Sequence, residues 1–275
     1  MKKNTNMAFG DVASSVDGSG TAVINSNANS KYVTGSIVDF GGSVTRAKFT
    51  ITKGTASGYV TITLPTSLTI SKSGTTLTID NLTSDVGTTA QLDGSGGLVF
   101  YVSGRMNVAA NQSAQSGLTG DLTVLVQDNT TSTSDSATAT VSGSVAAPIS
   151  ISATTALSFG TITPYSTSGT ITVSTAGSTT AINVTEMAGG SASEGVFTIT
   201  GNGGAAFSIT LPSTSTLSNG VNSMTVNSFQ HDAGASPTIS GGGSRDVSIG
   251  ATLNVGADQA NGNYSGVYTV FGNYN

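Results

Sequence analysis

The feature that most restricts what this chain can fold into is that it repeats itself. Met7-Ala8-Phe9-Gly10-Asp11-Val12 matches Leu157-Ser158-Phe159-Gly160-Thr161-Ile162. Ser19-Gly20-Thr21 matches Ser168-Gly169-Thr170, and Phe49-Thr50-Ile51-Thr52 returns as Phe197-Thr198-Ile199-Thr200. Val60-Thr61-Ile62-Thr63-Leu64-Pro65 returns as Phe207-Ser208-Ile209-Thr210-Leu211-Pro212. Leu77-Thr78-Ile79 pairs with Met224-Thr225-Val226, and Met106-Asn107-Val108 with Leu253-Asn254-Val255. Gln112 falls on Gln259, and Leu122-Thr123-Val124 on Tyr268-Thr269-Val270. The offset stays between 146 and 150 throughout, so the chain carries a duplication.

Within each copy the matched apolar residues alternate with hydroxyl residues. Val60, Ile62 and Leu64 lie to one side and Thr61 and Thr63 to the other, which is the period of a strand with one core face and one wet face. No window carries the three-to-four residue apolar repeat of a helix. β-branched runs broken by Gly, Ser, Asn and Asp turns, about seven per copy, predict an all-β chain of two tandem immunoglobulin-like β-sandwich domains. The boundaries fall at 1–128 and 148–275, with 129–147 between them. The copies differ at their starts. Pro148-Ile149-Ser150-Ile151-Ser152 reads as a strand leading into the second copy, whereas the first has almost nothing ahead of Met7 and is expected to lack that strand. Asn4-Thr5-Asn6-Met7-Ala8-Phe9-Gly10 begins midway through the motif, which points to a trimmed start.

Between the copies, Ala137, Ala139, Val141, Gly143 and Val145 alternate with Thr138, Thr140, Ser142 and Ser144. By residues alone this is an ordinary first strand or an alternating Ser/Thr linker. The chain ends on a second alternating series, with Gly262, Tyr264, Gly266, Tyr268, Val270, Gly272 and Tyr274 on one face. It carries a glycine fourteenth from the end and a penultimate tyrosine.

With those residues in place, the sequence resembles bacterial pilins of the chaperone–usher pathway, and more closely the secreted spore-coat-U-like fimbrial domains. Those read as alternating Ala/Thr, then Pro-Ile-x-Ile, then Leu-x-Phe-Gly, and close on Gly-x-Tyr-Ser-Gly with a final Tyr-Asn. The resemblance covers nearly all of 137–275 and, more weakly, 7–128. It implies a pilin-like sandwich that lacks its last strand, a groove covered first by a periplasmic chaperone at an outer-membrane usher, and then by the extension of another subunit through sheet-edge pairing. It makes Ala137 to Val145 the donor strand, with Ala139, Val141 and Val145 entering the groove and Gly143 where the groove is too shallow for a side chain. Gly262, Tyr264, Tyr268, Val270 and Tyr274 then belong to the C-terminal edge strand. Three departures stand out. There is no cysteine pair, the extension is internal, and no donor precedes the first copy. Whether 137–145 acts within the chain or between subunits stays open.

Composition removes other classes. Charged residues make up 8% of the chain, against roughly a quarter in ordinary soluble domains. The net charge of −5, with scattered Lys and Arg, argues against nucleic acid. No apolar run is long enough to span a membrane. Met1-Lys2-Lys3-Asn4-Thr5-Asn6 starts like the basic end of a secretion signal, but no apolar segment follows. His231 is the single histidine and has no serine-elbow motif beside it. Asp93-Gly94-Ser95-Gly96-Gly97 and Asp17-Gly18-Ser19-Gly20 read as turns, and Asp11 with the latter lacks calcium-loop spacing. Arg46, Lys48 and Lys53 read as a solvated edge. No catalytic residue, metal or cofactor is expected. The expected function is a structural subunit of an extracellular bacterial fibre, its partners identical or related subunits. The rival is a two-domain tip adhesin binding a glycan or host surface; a third reading is a monomeric secreted module in which 137–145 is only a linker.

Overall fold

A computed structural model describes residues 1–275. The protein is all-β, with no helix anywhere along the chain. It divides into two compact units, Met1–Pro148 and Ile149–Asn275.

The first unit holds fourteen strands. They are β1 (Lys2–Thr5), β2 (Met7–Ala13), β3 (Gly20–Ile24), β4 (Lys31–Gly35), β5 (Val38–Asp39), β6 (Val44–Thr45) and β7 (Ala47–Ile51). Then come β8 (Tyr59–Thr63), β9 (Ser67–Lys72), β10 (Thr75–Ser84), β11 (Thr89–Gln91), β12 (Leu98–Val108), β13 (Gln115–Asp128) and β14 (Ser134–Ala146). All fourteen are hydrogen-bonded into one sheet, whose main path runs β1-β7-β12-β10-β9-β13-β14-β2-β5.

The second unit begins with β15 (Ser150–Thr155), β16 (Ser158–Phe159), β17 (Ile162–Pro164), β18 (Gly169–Val173), β19 (Thr179–Ile182), β20 (Val184–Glu186) and β21 (Ala192–Ser193). It continues with β22 (Gly195–Thr200), β23 (Phe207–Thr210), β24 (Thr214–Ser218), β25 (Ser223–His231), β26 (Ser244–Val255) and β27 (Phe271–Tyr274). These do not form one sheet. Seven strands share a sheet and the rest form three two-stranded pieces.

The duplication seen in sequence reappears as duplicated pairing. Lys3 opposite Phe49 matches Ala153 opposite Phe197. Phe9 opposite Val44 matches Phe159 opposite Ala192, and Val12 opposite Asp39 matches Ile162 opposite Glu186. Gly10 and Gly160, each just after the buried phenylalanine, sit at φ +67° and +71°. At Gly10 a side chain would strike the Gly41 carbonyl, so the chain bends there at no steric cost only as glycine.

Three expectations need correcting. The first copy does have its leading strand: Lys2–Thr5 pairs with β7 as Ser150–Thr155 pairs with β22. It escapes the sequence because it reads Lys-Lys-Asn-Thr and buries no large apolar side chain of its own. The first unit does not end at 128 but runs to Pro148, because β14, within the 129–147 expected as linker and donor strand, pairs with β13 and β2 inside it. Finally, 262–274 is not one continuous strand. Only Phe271–Tyr274 is in a ladder, with an isolated bridge at Ser265.

The cores differ in the same way. In the first unit, 27 buried apolar residues form one cluster, which includes Ala139, Val141 and Val145 of β14. The second unit has two smaller clusters, around Phe159 and Leu253 and around Ile199 and Phe207.

Candidate functional site

The candidate site is a slot between two particular strands, occupied in one unit and open in the other. In the first unit β14 runs antiparallel to β13 on one side and parallel to β2 on the other. Ala139 lies opposite Leu122, Val141 opposite Gly120, and Gly143 opposite Leu118. On the β2 side Val141 faces Met7 and Val145 faces Val12. Ala139, Val141, Gly143 and Val145 are buried and Ala137 is half-buried, so the alternation directs five side-chain positions inwards. Each fully buried valine contributes roughly 1.5–3 kcal/mol relative to exposure. The floor is high under Gly143, where an added Cβ would lie 2.9 Å from Met106 Sδ and 3.3 Å from Ile70 Cδ1. The other face is hydroxylated and makes cross-strand bonds, such as Thr123 Oγ1 to Thr138 Oγ1 at 2.9 Å. Asn6 Oδ1 accepts from the Thr140 amide at 3.2 Å.

The second unit has both walls of this slot and no strand within it. Position for position, Tyr264, Gly266, Tyr268 and Val270 stand where Leu118, Gly120, Leu122 and Val124 stand in β13. The two glycines are matched structurally as well. A side chain on Gly120 would strike the Thr69 carbonyl, and one on Gly266 the Thr216 carbonyl. Opposite them, Leu157, Phe159 and Ile162 replace Met7, Phe9 and Val12. Between these walls lies a groove of about 660 Å³, floored by Leu217, Met224, Leu253 and Val255. A smaller apolar recess of about 260 Å³ continues it past Phe197, Phe229 and Tyr268.

The C-terminal segment is broken along the same stretch. The backbone of residues 262–270 meets β24 alone, through the Ser218–Ser265 bridge and the Ser215 hydroxyl on the Val267 carbonyl, where β13 has ladders on both sides. Alternation of facing nevertheless persists. Val270 is buried and Tyr264, Tyr268 and Tyr274 are half-buried, while Val267 is 88% exposed. Gly262, with φ +155°, and Gly266 are exposed. The Tyr268 ring packs 5.2 Å from Phe229 and 5.8 Å, edge-on, from Phe197. Burial pushes its phenol above the ordinary tyrosine pKa. Tyr264 Oη donates to the Ala260 carbonyl at 2.7 Å and accepts from Gln259 Nε2.

The end of β13 and the end of its counterpart β27 are tied down by different chemistry. In the first unit Asp128 Oδ2 accepts from the amide and hydroxyl of Thr55, and Oδ1 from the amides of Thr130 and Thr131. These bonds, led by those of Thr55, hold its pKa down at about 2. In the second unit the Tyr274 hydroxyl accepts from the Asn202 amide at 2.7 Å, and Asn202 is the counterpart of Thr55. Another swap fastens β2 and its equivalent. Lys31, whose side chain is 2% exposed, bonds the Asp11 and Gly41 carbonyls and pairs with Asp39 at 2.8 Å. Thr179 Oγ1 donating to Glu186 Oε2 occupies the same place in the second unit. Neither exchange is readable from the repeat, because aligned positions carry unlike residues.

The remaining sequence candidates fall away from the slot. His231 ends β25, and its buried Nδ1 has no partner. Asp93 Oδ1 accepts from the Ser95 and Gly97 amides and the Ser95 hydroxyl, closing a turn and lowering its pKa. Arg46 is not a solvated edge residue. Its guanidinium lies 4.1 Å over the Tyr101 ring and bonds the Ser26 carbonyl. No group of three or more His, Asp or Glu could hold a metal ion, and no helix is long and apolar enough to cross a membrane.

No match is found among curated proteins. The profile described as a domain of unknown function, DUF4402, matches residues 1–128 and again 149–274. One match falls on each of the two units, and the chain belongs to this family as a tandem pair.

Proposed function

We propose that the protein is a structural subunit of an extracellular bacterial fibre, in which pilin-like β-sandwich domains are completed by strands supplied from a neighbouring domain. The observation that carries this reading is the contrast between one slot filled by β14 and the matching slot, an open groove with an apolar floor. An open sheet edge above an apolar floor is costly in water and is a ready template for another strand. Main-chain bonds supply the affinity there, and alternate side chains supply the fit. On this reading β14 acts within its own chain and makes a permanent joint. The groove of the second unit is then the exchangeable joint, filled by an extended segment with small and branched apolar residues at every second position. A periplasmic chaperone as temporary cover and an outer-membrane usher are the partners that follow.

The test uses the full chain and a synthetic peptide of residues 136–146. Peptide binding should slow hydrogen exchange across 262–270 and raise the melting temperature of the second unit. At a hundredfold excess over Kd the stabilisation is about 2.7 kcal/mol. Native material should form filaments under negative stain. A groove indifferent to any alternating peptide, with native protein remaining monomeric, would sink the reading. One copy per filament, at its tip, would make the chain an adhesin instead.

A further inference from the structure

A second site lies on the first unit, away from the slot, where the sheet is locally broken. Strand β10 bulges at Asn81, which has φ +49°, so its register to β12 shifts between Asp80 and Thr83. On the opposite edge of β12, pairing with β7 stops at Val102 and pairing with β3 starts at Arg105. Gly104 therefore has no partner residue on either side. Over this gap sits a pocket of about 300 Å³, walled by Asn25, Tyr32, Asn81, Thr83 and Ser103 with Gly104 beneath. That volume is at the small end of ligand sites.

The lining has a definite chemistry. Tyr32 is 55% exposed, and its ring is the one aromatic group lining the pocket. The Asn81 amide makes no hydrogen bond within the protein, and Asn25 engages only its oxygen, leaving its NH₂ to donate. Thr83 and Ser103 hydroxyls are 3.0 Å apart. The arginines beside the pocket are neutralised. Arg105 forms a two-point bond with Asp80 at 2.8 and 3.0 Å, and Arg46 faces Asp85 at 3.6 Å. A site with no spare charge does not select an anion, and one this polar does not select an apolar molecule.

The second unit shows that these residues are not needed for the fold. It keeps the bulge, with Ser228 at φ +53° and a register shift between Asn227 and Gln230. At the aligned positions it has Ser174 for Asn25, Thr180 for Tyr32, Ser228 for Asn81 and Thr252 for Arg105. The backbone feature is shared, and the aromatic ring and free amides belong to the first unit alone.

We infer that this pocket binds an uncharged saccharide, one ring stacked on Tyr32 with its hydroxyls bonded to the Asn25 and Asn81 amides. The inference does not depend on the fibre reading, since none of the residues lining the pocket lines either slot. The test is NMR titration of the full chain with galactose, mannose, fucose and N-acetylglucosamine at millimolar concentration. At least one sugar should give saturable shifts at the Gly104 and Asn81 amides and the Tyr32 ring. Tyr32→Ser should weaken that binding by roughly tenfold, the upper range for an aromatic contact, without lowering the melting temperature. Asn81→Ser, which copies the second unit, should weaken it as well. Absence of shifts with all four sugars, shifts that map to the second unit, or binding unchanged by Tyr32→Ser would each overturn the inference.

Discussion

The two units of this protein are built from one strand plan and end in different states. The first threads fourteen strands into a single sheet around one core, and the second stays in four pieces around two. Every pairing of the second unit considered above has its counterpart in the first. What the second lacks is the pair of ladders that β14 makes with β13 and β2. One strand thus decides whether the edges of this fold meet. The lesson is that a sheet can be nearly complete in sequence and still leave its core open, because closure depends on a single strand that ladders with two separate edges.

The comparison can be broken most forcefully at Val141. It is fully buried in the first unit, so Val141→Asp places a charge in an apolar slot and should cost about 4 kcal/mol or more. The first unit's melting transition should disappear while the second unit's is untouched. Loss of both transitions would mean the units do not fold separately. Gly143→Val is milder. Met106 Sδ and Ile70 Cδ1 already crowd the Cβ position, and overpacking of this kind costs about 1–3 kcal/mol, again in the first unit only.

Tyr274→Phe probes the second unit in return. It leaves the Asn202 amide without its acceptor and should lower that unit's stability by about 1 kcal/mol, as read from chemical denaturation. An unchanged denaturation midpoint would remove the role assigned to this hydroxyl. The gentlest test is pH, and it should act in opposite directions on the two units. Asp128 has its pKa depressed to about 2, so its contribution is complete above the ordinary carboxylate range, near pH 4, and is lost as pH falls through about 2. Tyr274 and Tyr268 have theirs raised by burial, so their contribution is complete below pH 10 and is lost as pH rises beyond it. Acid should loosen the first unit first, and alkali the second. Melting of both units at the same extreme would erase the distinction.

Much of the strand plan is legible in the residues, for a local reason. A period of two needs only neighbours in sequence, so Val60-Thr61-Ile62-Thr63 and Phe207-Ser208-Ile209-Thr210 each declare a strand and its buried face. The leading strand Lys2–Thr5 is hidden because its partners, not its own side chains, hold it. The Asp128 and Tyr274 anchors are hidden because two unlike groups perform one task at aligned positions. The pocket beside Tyr32 is hidden because Tyr32, Asn81 and Ser103 are far apart along the chain and meet only across a bulge.

By itself the sequence determined that the chain is a doubled array of strands, which residues of each strand face inwards, and that 137–145 carries an inward-facing series. Only the tertiary structure decided where that series goes. Alternation specifies a face, whereas the choice of edge depends on which unpaired strands lie within reach of Asp128 through the short link to Ser134. β14 pairs with β13 and β2 of its own unit, and the matching positions of the second unit flank an open groove.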